Sequence, residues 1–191
     1  SKNFFFHNIY HISVLAEADS IMRNQKRTAL VAGATGVIGR NLLLRLIPDS
    51  DWDVIALSRR KLDIEGNFRH LSVDLLNRSD TKKKLGSLSE VTHIFYAAYI
   101  EEPNWADMVA PNMAMLINLV DVIESAAHNL VHINIMHGTK WYGSHLGPFK
   151  IPAKESDPGR IPPNFYHDQQ DFIEERQVGK TWTWSTARPH S

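Results

Sequence analysis

The chain has 191 residues, 43% hydrophobic and 22% charged, which suits one domain with a sizeable core and hardly allows two. Its 21 Lys and Arg balance 21 Asp and Glu, so no net field recruits nucleic acid or an anionic membrane. There is no cysteine, which removes disulfides, thiol nucleophiles and thiolate metal sites and fits a reducing, cytoplasmic setting.

Residues 1–26 read as an extension to which the pattern assigns no fold. Phe4-Phe5-Phe6 and the stretch from Ile9 to Leu15 have a faint signal-peptide look, but His7, Asn8 and His11 interrupt it and Lys2 is its single basic flank. Residues 27–191 read as one nucleotide-binding domain. Thr28 to Ala32 is a short apolar run consistent with a buried parallel strand, and Val37 to Ile47 carries Ile38, Leu42, Leu43 and Leu46 at helical spacing before Pro48. Asp53–Leu57, Arg69–Val73 and Thr92–Ala97 are the second to fourth strands. Lys82-Lys83-Lys84 is a solvated helix face. A long helix is predicted from Trp105 to Ala127, with Met108, Met115, Leu116, Leu119 and Ile123 on one side. Asn112 and Asn118 are placed on its surface by default, with a bond to a loop or a ribose as the alternative. Val131–Met136 is the fifth strand, Gly143–Pro163 a long loop acting as lid or wall, Phe165–Arg176 a helix, and Trp182–Ala187 the sixth strand. No apolar run approaches the ~20 residues that a membrane span needs. Alternating strands and helices imply right-handed βαβ units, and the nucleotide-binding version of that α/β fold has a doubly wound parallel sheet in the order 3-2-1-4-5-6.

The strand-to-helix turn Gly33-Ala34-Thr35-Gly36-Val37-Ile38-Gly39 carries glycines where a diphosphate-binding turn needs them. Gly33 allows the tight turn, Gly36 the approach of the diphosphate, and Gly39 close packing of helix on strand. The second strand ends in Ser58-Arg59-Arg60, where an NAD-selective site would place an acid. Guanidinium groups pair with a 2′-phosphate, and the Ser58 hydroxyl can add a donor, so the expected cofactor is NADP(H). Asp74 and Leu75 after the third strand, and Ala97 and Ala98 after the fourth, complete the expected cofactor set; Asp74 reads equally well as a helix cap. Ten histidines invite a metal site, but His7/His11 and His128/His132 lack a third ligand and none is expected. His137 and His190 lie near the expected site, with packing the default role for each. Trp105, Trp182 and Trp184 are read as core or interface residues.

Two segments can carry chemistry: His137-Gly138-Thr139-Lys140-Trp141-Tyr142-Gly143 after the fifth strand, and Asn164-Phe165-Tyr166-His167 at a helix start with Asn164 as N-cap. A tyrosine beside a lysine makes a reductase site, because the phenol donates to a substrate oxygen and the ammonium lowers its pKa. No tyrosine in these segments has a lysine four residues later, so a Lys140–Tyr166 pair would have to form across two elements; structural roles for both are the competing reading.

Taken together, the glycine turn, Ser58-Arg59-Arg60, Thr92-His93-Ile94-Phe95-Tyr96, Gly138-Thr139-Lys140-Trp141-Tyr142 and Asn164-Phe165-Tyr166 resemble the progesterone 5β-reductase/iridoid synthase-like family of atypical, extended short-chain dehydrogenase/reductases, from about Thr28 to His190. The resemblance implies that Lys140 and Tyr166 are the catalytic lysine and tyrosine, both also beside the cofactor. The implied reaction is NADPH-dependent 1,4-reduction of an α,β-unsaturated carbonyl, with the enolate oxygen stabilised by Tyr166 and Lys140. Trp141 and His167 replace a His and a Tyr of the family's motifs, and Tyr99 stands where plant members usually have Trp. The family's strand before its substrate-binding part matches Thr186-Ala187-Arg188-Pro189-His190-Ser191, so a truncated member is expected. The expected partner is a small carbonyl or enone, with no nucleic acid or membrane; a homodimer is admitted. A catalytically silent NADP(H) sensor and a carbonyl reductase or nucleotide-sugar enzyme on the same fold are the alternatives.

Overall fold

Six strands alternate with helices along the chain. In the computed structural model the described residues are 26–157, 159 and 162–189. The expectations for residues 1–25, the His7/His11 pair and His190 therefore lie outside them. β1 is Arg27–Ala32, α1 Val37–Leu46, β2 Trp52–Ser58, β3 Arg69–Ser72, α2 Arg78–Leu85 and β4 His93–Tyr96. A 3-10 turn at Trp105–Met108 leads into α3, Val109–Ala126; β5 is His132–Met136, a second 3-10 turn spans Thr139–Tyr142, α4 is Phe165–Gln177 and β6 Thr183–Ala187. All pairings are parallel and the order is β3-β2-β1-β4-β5-β6, as the alternation implied.

Strand periodicity sorts the core into two layers. Ala29, Val31, Val54 and Ala56 face α1 through Leu43 and Leu46. Leu30, Ile55, Ile94, Ile133 and Ile135 face the other way, onto Leu85 of α2, Leu116, Leu119 and Ile123 of α3, and Ile173 of α4. Thr81 and Leu85 turn inward on α2, so Lys82, Lys83 and Lys84 stay exposed, as expected of a solvated face.

The long helix needs two amendments. An 18-residue window within Trp105–Ala126, a helical stretch of 22 residues, has a mean hydropathy of 1.4, so by length and composition alone this stretch could cross a membrane although polar residues interrupt its apolar run. In the fold its apolar side packs under the sheet between α2 and α4. Nor are Asn112 and Asn118 surface residues: both are buried, and each bonds a loop.

Candidate functional site

The carboxyl ends of β1 to β4 open onto a cleft lined by Gly33 and Thr35, by Leu57, Ser58 and Arg59, by Val73, Asp74 and Leu75, and by Ala98, Tyr99 and Ile100, with Met115 at its back. This is the edge at which a doubly wound sheet takes its ligands, beside the strands where the connection changes direction.

The β1–α1 turn forms one end. Gly33 has φ +81°, and a Cβ there would stand 2.4 Å from the Ala97 carbonyl oxygen. At Gly39 a Cβ would come within 2.3 Å of the Gly33 oxygen, so only glycine lets α1 lie this close to the turn. Gly36 caps α1 without a side-chain bond, and the first turn holds no acid, which leaves its N–H groups and partial positive charge uncompensated. Thr35, Gly36, Val37 and Ile38 around it are exposed, Val37 by 82%. An uncapped helix end with small and apolar residues exposed beside it fits a diphosphate, which takes the N–H bonds and covers the apolar surface.

The β2 end differs from the expectation at one residue. Ser58 is buried, and its hydroxyl donates to the Arg60 carbonyl at 2.5 Å, so it is not a free donor for a phosphate. With that proton committed, His70 Nε2 donates to Ser58 Oγ at 2.8 Å. Ser72 Oγ also donates to the Arg59 carbonyl, so the serines shape the turn that presents the arginines. Arg59 and Arg60 are exposed and make no ion pair among the described residues, leaving both guanidinium groups available at the rim. Arg40 pins the same rim by donating to the Asp63 carbonyl at 2.9 Å, a role that its place in an amphipathic pattern did not reveal.

Asp74 is not a helix cap. Its carboxylate accepts from Leu76 N–H, while Asn77 caps α2 by accepting from Asp80 N–H. Leu75 is buried in the cleft wall, and its carbonyl accepts from Asn118 Nδ2 at 2.8 Å. Asn112 braces the opposite wall: Oδ1 accepts from Ile100 N–H at 3.0 Å, and Nδ2 donates to the Ile100 and Met108 carbonyls at 2.8 Å each. The signal for both was a polar residue among the apolar positions of one helix.

The segments that carry Lys140 and Tyr166 are tied together beyond the end of β5. Asn164 joins them: Oδ1 accepts from Tyr166 N–H at 3.1 Å, capping α4 as its sequence position predicted, and Nδ2 donates to the Lys140 carbonyl at 2.9 Å. His167 Nε2 donates to the Trp141 carbonyl at 2.9 Å, a second tie between the same elements. Tyr166 is 9% exposed, and its phenol oxygen lies over Gly138, 3.6 Å from where a Cβ would stand. Around it are Trp105, ring centroids 6.3 Å apart, Phe165 at 4.5 Å and His137 at 4.7 Å.

The expected electrostatics of the pair are reversed. The Lys140 ammonium rests over the Trp105 indole, 4.9 Å from its centroid, and makes no hydrogen bond to Tyr166. Burial, with a smaller contribution from Glu101, therefore raises the Tyr166 pKa instead of Lys140 lowering it. The neighbouring phenol of Tyr99 is pushed up to about 12 by burial, with Tyr166 and Glu101 adding to it. Both phenols stay protonated in neutral solution.

In the loop after the second 3-10 turn, Gly159 lies against Trp141 and the His145 ring centroid lies 4.5 Å from that of Trp105. Arg188, just past β6, lies 3.7 Å over the Trp141 ring and donates to Tyr142 and Gln170. His132 has its ring nitrogens on Thr183 and Ser185, a structural use. Trp182 is core, its indole N–H donating to Glu124.

A family described as the PRISE-like Rossmann-fold domain matches residues 29–191. The chain is 33% identical over 187 residues to a (S)-8-oxocitronellyl enol synthase of Nepeta racemosa, covering 91% of this chain and 48% of that protein. It is 31% identical over 191 residues to a 3-oxo-Delta(4,5)-steroid 5-beta-reductase of Arabidopsis thaliana, with the same 91% and 48% coverage. The chain spans about half the length of the curated relatives it matches. Among solved structures it is similar in fold to UDP-glucose 4-epimerase from Bifidobacterium longum in complex with NAD+ and UDP, with a TM-score of 0.70 at 16% identity over 84% of this chain and 52% of that one.

Proposed function

The chain belongs to the PRISE-like Rossmann-fold family, and from that premise we propose that it is an NADPH-dependent oxidoreductase that reduces the conjugated double bond of an enone or enal. The observation that carries this reading is the Asn164 amide, which ties the backbones of a buried, protonated tyrosine and of a lysine at the edge where the fold takes its ligands. The relative from Arabidopsis is named for a 3-oxo-Delta(4,5)-steroid, in which a carbonyl is conjugated to the double bond.

The chain's own residues divide the work. Backbone N–H groups of Val37 and Ile38 hold the diphosphate, and Arg59 and Arg60 pair with a 2′-phosphate that a carboxylate would repel. NADPH, when bound, supplies the hydride that adds to the β-carbon. Tyr166 donates a hydrogen bond to the carbonyl oxygen, where negative charge gathers as the enolate forms, and Lys140 adds positive potential to the same wall. A phenol kept protonated by burial is in the state that can donate.

A second reading, an NADP(H)-binding module without turnover, is favoured by the Lys140 ammonium lying over Trp105 and away from the phenol. NADPH oxidation with a panel of small enones, enals and simple ketones separates the two. Turnover of enones is expected, lost in Tyr166→Phe and Lys140→Ala while NADPH still binds. Turnover of ketones alone would make the protein a carbonyl reductase, and tight binding with no turnover would support the silent module.

A further inference from the structure

His137 follows β5 directly, with its backbone N–H donating to the Ala187 carbonyl at 2.8 Å, and it is only 4% exposed. Its ring lies against that of Tyr166, centroids 4.7 Å apart and planes tilted by 33°. Among the described residues neither ring nitrogen has a partner at full hydrogen-bond geometry, with the Gln169 side chain the polar group beside it, and the nearby Arg188 Nε is also buried without one. Buried polar groups are nearly always satisfied, because an unpaired one costs about 1–3 kcal/mol, so exceptions grouped behind a reactive side chain call for a functional explanation. A packing role alone does not supply it, since Leu or Phe would fill the space without that cost.

We propose that His137 is a positioning residue for Tyr166, its ring seating the phenol over Gly138 and its two nitrogens, unpaired in the resting fold, serving as the polar partner when the buried phenol shares or releases its proton. The imidazole suits this because it is neutral: burial, reinforced by Arg188, lowers its pKa to about 3, so it brings one donor and one acceptor and no charge. The groups facing the pair are Glu101 and Tyr99 from the loop after β4, Lys140 from the turn after β5, His167 and Gln169 from α4, and Arg188 after β6. The Gln169 amide nitrogen is committed to the Asn112 carbonyl at 3.1 Å, and the Gln169 side chain partly offsets the lowering of the His137 pKa. The chemical assignment rests on Tyr166 being the proton donor of the proposed reduction, but the contact itself can be read without turnover.

The protein is labelled with fluorotyrosine, which brings phenol ionisation into a range that the fold withstands, and the Tyr166 fluorine resonance is assigned by its loss in Tyr166→Phe. His137→Phe keeps an aromatic ring and removes the nitrogens, whereas His137→Gln keeps a donor and an acceptor and removes the ring; NADPH binding confirms the fold of each. Without the nitrogens the Tyr166 titration is expected to move up by about one unit, and with Gln to return to within about half a unit of the wild type. A titration in His137→Phe that coincides with the wild type, or one in His137→Gln displaced as far as in His137→Phe, overturns the proposal. A shifted titration in a protein that turns over no enone would sustain this inference and remove the reductase; turnover with no shift would do the reverse.

Discussion

At the β1–α1 end of the cleft the working atoms are backbone N–H groups, held where Gly33 and Gly39 leave no space for a Cβ. Beyond the end of β5 the proposed ones are the side chains of Lys140, Tyr166 and His137, and Asn164 ties the backbones of the first two across 24 residues of chain. The first end is mostly a local device: residues 33–39 supply its backbone, and the Ala97 carbonyl after β4 closes over Gly33. The second is assembled from separate elements and tolerates features that a pure stability argument would remove: unpaired nitrogens on His137, Trp105 and Trp141, and a lysine whose ammonium rests on a ring. Departures from local rules are expected at functional sites, and here they gather around Tyr166.

The largest effect should come from disturbing the local device. Gly39→Val places a branched side chain where even a Cβ would stand 2.3 Å from the Gly33 oxygen. NADPH binding measured by calorimetry should weaken by at least about 100-fold, roughly 2.7 kcal/mol, or the domain should fail to fold. Tyr166→Phe should act at the other end alone: enone turnover should drop about 100-fold while the NADPH Kd stays within about twofold. If that variant lost both properties together, the separation of the two ends would be wrong. Arg59→Ala should cost about tenfold in NADPH affinity, near 1.4 kcal/mol, and leave NADH affinity unchanged, because only the 2′-phosphate meets the guanidinium.

The smallest effect is on stability against acid. Burial lowers the His93 pKa to about 4, with His132 and Arg27 adding to it, and burial with Arg188 takes His137 to about 3. Both are neutral in the fold at a pH where the unfolded chain, with values near 6.5, has begun to bind protons. Their contribution to stability is therefore present above about pH 6.5 and declines as the pH falls toward their folded values. Thermal midpoints should decrease from about pH 7 to about pH 4.5, and His137→Gln should flatten that slope.

The sheet order was legible through the alternation of strands and helices, and the glycine turn and the Asn164 cap because each is set largely by neighbours within a few positions. The N–H groups of α1 need only Gly33 to Gly39, and the α4 cap needs only Asn164 and Tyr166. Ser58 was misread as a free donor, since its partners, the Arg60 carbonyl and His70 Nε2, are fixed by how β2 and β3 lie side by side. Asn112 could not be told from a surface asparagine until the loop after β4 folded back on α3. The proximity of Lys140 and Tyr166 was expected, but the sign of their electrostatics was not, because it depends on where one flexible side chain rests among Trp105, Tyr166 and solvent.

The most direct test is a parallel titration of the wild-type chain with NADPH and with NADH, followed by the quenching of tryptophan fluorescence. The arrangement of Gly33 to Gly39 with free arginines at 59 and 60 predicts NADPH binding at least about tenfold tighter than NADH. Equal affinity for the two, or no binding of either, would contradict the account.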